Sequence, residues 1–102
     1  MTRAEVVAWL ARRRPTPPDA LQAHLVAAVR DRAAALPDHL AQEGATLLSR
    51  VMESPGTGRE RALDLLAADA FVTYAFEAQA EIDVRELTAL AGRIDGPGAA
   101  TR

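Results

Sequence analysis

Cysteine is absent from this chain of 102 residues, which excludes disulfides, thiolate nucleophiles, cysteine-ligated iron–sulfur clusters and cysteine zinc sites. Lysine is absent too. All 12 basic residues are arginine, so Schiff-base chemistry and a phosphate-binding loop built on lysine are excluded as well. Aromatic residues make up only 4% of the chain, and roughly a fifth of it is alanine, which favours helix but buries little area per residue. Helices form readily from such a composition, and a deep core does not.

No apolar run reaches the eighteen or so residues that a membrane span requires. The opening "MTRAEVVAWLARRR" places an acid before a short apolar run and most of its arginines after it, the reverse of a secretory leader. The expectation is a cytoplasmic protein without a transmembrane segment. With a formal net charge of −2 and the two signs interspersed, the chain has no field able to hold nucleic acid by counterion release.

What is present is the balance of a folded domain: 49% hydrophobic and 25% charged residues. The length supports one core, with residues 1–95 expected as a single helical domain and 96–102, rich in Gly and Pro, as a disordered tail. No repeat and no strand-like alternation occurs. The pattern predicts an all-α fold, a compact bundle of four to five short helices with a central apolar helix.

Thr2 and Glu5 have capping-box spacing and open a first helix over residues 3–13, with Val6, Val7, Trp9 and Leu10 on one side. Pro15, Pro17 and Pro18 end it. Asp19 then starts a second helix, expected to reach Leu36, with Leu21, Leu25, Val29, Arg32 and Leu36 on its inner stripe. A third begins at Pro37 and Asp38 and carries Leu40, Leu47, Leu48, Val51 and Met52 inward. Gly44 inside it predicts a close crossing with another helix.

After the break "ESPGTG", Thr57 and Glu60 repeat the capping-box spacing and open the fourth helix. Asp83 and Glu86 mark a fifth start, with Val84, Leu87, Leu90 and Ile94 facing inward.

The fourth helix is apolar nearly all round. Leu63, Ala67, Ala70, Tyr74 and Ala78 share one side, and Leu65, Ala68, Val72 and Phe76 lie roughly opposite. Two apolar faces imply contacts on two sides, either with the other helices or with another molecule. Asp69 lies between these faces, so partial desolvation and an ion pair with an arginine, Arg32 first, are expected.

Few chemistries have the groups they need. His39 and Glu43 stand at i and i+4, which is two metal ligands and not a site, and no glutamate precedes a histidine by three positions. His24 reads as a half-buried helix residue. "GTGRE" lacks a preceding strand and a lysine, and neither Ser49 nor Ser54 lies in a nucleophile-elbow context. No catalytic, metal or cofactor site is therefore expected.

The reading that remains is a small non-enzymatic protein acting by protein–protein interaction, as an accessory, adaptor or assembly subunit, or as a homodimer. Its candidate contacts are Asp69, Thr73, Tyr74 and Glu77, with Trp9, Arg12 and Arg13 as a second patch that could meet an acidic partner. The alternative is a ligand-binding or enzymatic protein with a polar pocket around Asp69, Tyr74 and Glu77.

Overall fold

The computed structural model describes residues 1–53 and 58–100, with side chains described as far as Ile94. Among these residues there are five α-helices and one short 3-10 turn. In chain order they are α1 (Arg3–Ala11), α2 (Asp19–Ala28), α3 (Leu36–Glu53), α4 (Arg59–Ile82), the turn Val84–Glu86 and α5 (Leu87–Ala100). The fold is an all-α bundle, and α4 is its central member, packed against α2, α3 and α5. The expected tail at 96–102 falls on residues whose side chains, or whose whole course, lie outside that description.

The first helix starts as its sequence dictates. Thr2 Oγ1 accepts the Glu5 N–H at 3.2 Å, and a Glu5 carboxylate oxygen accepts the Thr2 N–H at 2.9 Å. These reciprocal bonds satisfy two free donors, and that from the Thr2 N–H holds the Glu5 carboxyl below its ordinary pKa. Regular structure stops at Ala11, two residues earlier than expected.

The second helix ends much earlier than expected, at Ala28 rather than Leu36. Val29 is extended, and the backbone of the next residues finds partners across the fold instead of along a helix. The Arg30 N–H donates to Glu43 at 2.7 Å, and His39 Nε2 donates to the Arg30 carbonyl at 2.7 Å. The Arg32 N–H donates to the Met1 carbonyl at 3.1 Å. Tertiary bonds therefore replace the helical ones, because helix propensity is worth less than one kcal/mol or so per residue.

The third and fourth helices make the closest crossing. A Cβ added at Gly44 would lie 3.2 Å from the Ala68 carbonyl oxygen and 3.3 Å from Phe71 Cβ, so only glycine fits without a shift. This is the close approach its mid-helix position implied. Phe71 fills the space beside it and is fully buried with Leu10, Leu25, Leu40, Leu47 and Leu90. Each such side chain contributes about 1.5–3 kcal/mol by leaving water.

The expected capping residue Thr57 lies outside the described residues, and α4 begins behind Gly58, whose φ of 105° is one that glycine adopts without strain. It ends at Asp83, which is extended, so α4 and α5 are separate helices. Three expected inward residues are instead exposed: Leu48 and Met52 on α3, and Val84 in the turn.

Candidate functional site

Three side-chain clusters and one groove stand out in the bundle, and all but the first cluster include residues of α4. The first cluster lies under the segment that follows α2. Glu43 and His39 project from one face of α3 and are fully buried. Glu43 accepts from Arg32 Nη2 at 2.8 Å and from the Arg30 N–H, so both carboxylate oxygens are used. His39 Nε2 faces the Arg30 carbonyl and, at 3.5 Å, Glu43, two acceptors that place its hydrogen on Nε2 and leave Nδ1 unpartnered. Arg32 is therefore the partner of Glu43 and not of Asp69. This cluster is a sealed staple between α3 and the chain ahead of it.

The second cluster joins α2, α3 and α4. Asp64 is buried, and its Oδ1 lies 2.6 Å from His24 Nε2 and 3.5 Å from Arg50 Nη1. Glu60 stands one helical turn before Asp64, with an oxygen 4.0 Å from His24 Nδ1. The buried acid of α4 is thus Asp64, whereas Asp69, expected to be desolvated, is exposed. The two positions are 140° apart around the helix, which puts Asp64 against α2 and turns Asp69 away from it.

The third cluster contains most of the residues expected to contact a partner. Arg13 lies over the Trp9 ring, 3.7 Å from its centre, and donates to Glu81 at 2.8 Å, with Glu77 at 3.8 Å. Tyr74 meets the Trp9 ring edge-on, with the ring centres 5.9 Å apart. Burial pushes the Tyr74 hydroxyl pKa up, and Glu77 adds to this while Arg13 opposes it. The hydrogen bond from Arg13 holds the Glu81 carboxyl below its ordinary pKa. Trp9, Arg13, Tyr74 and Glu77 thus converge and bind α1 to α4, while Arg12 and Thr73 are exposed. Asp69 is not part of this cluster.

Asp69 lines instead an open groove of about 1110 Å³ between α3 and α4, bounded by residues 33–35 and by α5. Its floor is small: Ala41, Gly44, Ala45 and Ala68. Its walls are apolar and incompletely covered, with Leu48 46%, Leu65 45% and Met52 77% exposed. Five polar residues line it, Asp38, Gln42, Ser49, Asp69 and Arg93, of which Arg93 pairs with Asp38 at 2.7 Å. Leu48 and Met52 occur at core spacing on α3, so periodicity alone assigned them to the interior.

Among the described residues, no helix is long and apolar enough to cross a membrane. Comparison with known protein families, curated proteins and solved structures finds no match to this chain.

Proposed function

We propose that this chain is a non-enzymatic helical protein that works by protein–protein interaction, and that the groove between α3 and α4 seats a second copy of itself. The observation that carries this reading is the set of incompletely covered apolar side chains Leu48, Met52 and Leu65 around a floor of alanine and glycine. An apolar groove rimmed by polar residues is a common setting for protein–protein contact. Small residues along the floor permit a helix to approach closely.

A second copy is the occupant this face suits, because one patch serves both partners across a two-fold axis and the charge of the groove is largely neutralised within it. Arg93 is paired with Asp38, and Asp69 is the one further charged residue among the described lining. An accessory or assembly subunit in the cytoplasm, active as a homodimer, is the role consistent with this reading.

Met52 provides the test, because it lies on the groove and the only other methionine is Met1. On dilution of protein carrying ¹³C-methyl methionine, the Met52 signal should shift while that of Met1 stays in place. A Met52 signal that is insensitive to concentration would refute self-association through this face.

A further inference from the structure

The cluster of His24, Glu60 and Asp64 lies on the α2 side of α4, away from the groove, and has a feature that the other buried cluster lacks. Glu43 has both oxygens committed and is sealed from solvent with His39, so nothing further can be bound there. Asp64 is 7% exposed and His24 15%, while Glu60 at 78% leaves the third side open. The site therefore has a closed floor and an accessible mouth.

The donors match a borderline transition metal. Glu60 and Asp64 are at i and i+4, so both carboxylates project from the same side of α4 toward His24 on α2. One ligand atom from each residue lies within 4.8 Å of the others. An imidazole nitrogen and carboxylate oxygens are each donors that Zn²⁺ takes, and three protein ligands leave a fourth position for water, whereas Mg²⁺ and Ca²⁺ prefer oxygen alone. Bringing these atoms to bonding distance needs a small separation of His24 from Asp64 and a rotation of the exposed Glu60 side chain.

Arg50 sets the conditions. Its guanidinium stands 3.5 Å from the Asp64 oxygen and so occupies the position of a neutralising cation. Nearly half of the Arg50 side chain is exposed, 47%, so it can swing into solvent when a stronger cation arrives. We infer that His24, Glu60 and Asp64 form a divalent transition-metal site in which the metal takes the place of Arg50. Bound there, the ion clamps α2 to α4.

The test is calorimetric titration of the whole untagged chain with ZnCl₂, for the natural sequence and for E60Q, H24A and R50Q. The expected result is one zinc per chain, weakened about tenfold or more by E60Q and by H24A, which remove ligands, and tightened by R50Q, which removes the competing cation. Glu60 is exposed, so E60Q keeps the fold even if H24A does not, and far-UV circular dichroism checks both. No uptake at millimolar zinc, uptake that E60Q leaves unchanged, or an R50Q variant that binds no tighter would each overturn the proposal.

Discussion

The Glu43 carboxylate accepts the backbone N–H of Arg30 at 2.7 Å, and this bond decides where the second helix ends. With its other oxygen on Arg32, Glu43 holds residues 29–35 against α3. Replacing Glu43 with Ala leaves the Arg30 N–H and the Arg32 guanidinium without their acceptor. Removing one partner of a buried pair costs about 3–5 kcal/mol, and the lower end applies because Arg32 is partly exposed. Urea denaturation should show a midpoint lowered accordingly, and a loss below about 1 kcal/mol would contradict the staple.

Gly44 offers a test of the α3–α4 crossing. Alanine would gain about 1 kcal/mol in helix propensity, but overpacking against a rigid backbone costs about 1–3 kcal/mol. The Ala68 carbonyl and Phe71 Cβ can move only with the helix that carries them, so overpacking wins. Gly44→Ala should therefore destabilise by about 1 kcal/mol, and thermal unfolding that shows a stabilised variant would mean that the helices part easily.

The first and third helices are legible in the sequence because their signals are local. Thr2 and Glu5 form the expected capping box, Pro37 and Asp38 mark the start of α3, and Gly44 marks the crossing. The end of α2 is not legible, since it depends on an acid thirteen residues beyond Arg30. The burial of Glu43 had a readable signal: it stands between Leu40 and Leu47 at helical spacing, on the apolar stripe of α3. Asp64 and Asp69 carried no such distinction, because α4 is apolar nearly all round and only the placement of His24 separates them.

That separation is measurable. Asp69→Asn should change stability by no more than about 0.5 kcal/mol, as exposed substitutions do. Asp64→Asn, which weakens the contacts to His24 and Arg50, should cost about 1–3 kcal/mol. Chemical denaturation of the two variants side by side checks this, and equal losses would contradict the assignment of Asp64 as the buried acid.

Arg13 and Glu81 give the fold a dependence on pH. Because the folded-state pKa of Glu81 is lowered below its ordinary value of 4.5, the stabilisation is present above that value and is lost as pH falls through the folded pKa. Glu81 is half exposed, so solvent screening limits the contribution to about 1 kcal/mol or less. Glu81→Gln should therefore lower stability at pH 7, and its difference from the natural chain should shrink as pH falls below 4.5. Tyr74 acts at the other end: its raised pKa means stability that is present below about pH 10 and declines above it. Tyr74→Phe should remove that alkaline decline, as stability measured by urea denaturation from pH 8 to 11 would show.

The groove between α3 and α4 is the centre of the functional reading, and Leu65 on its wall is the residue to change. It is half exposed, so Leu65→Glu leaves the core intact while placing a charge in the interface. Sedimentation equilibrium of both proteins over a wide concentration range tests the account most directly. The account predicts a monomer–dimer equilibrium for the natural chain and a monomer for Leu65→Glu; a natural chain that remains monomeric throughout, or a dimer unaffected by the substitution, would contradict it.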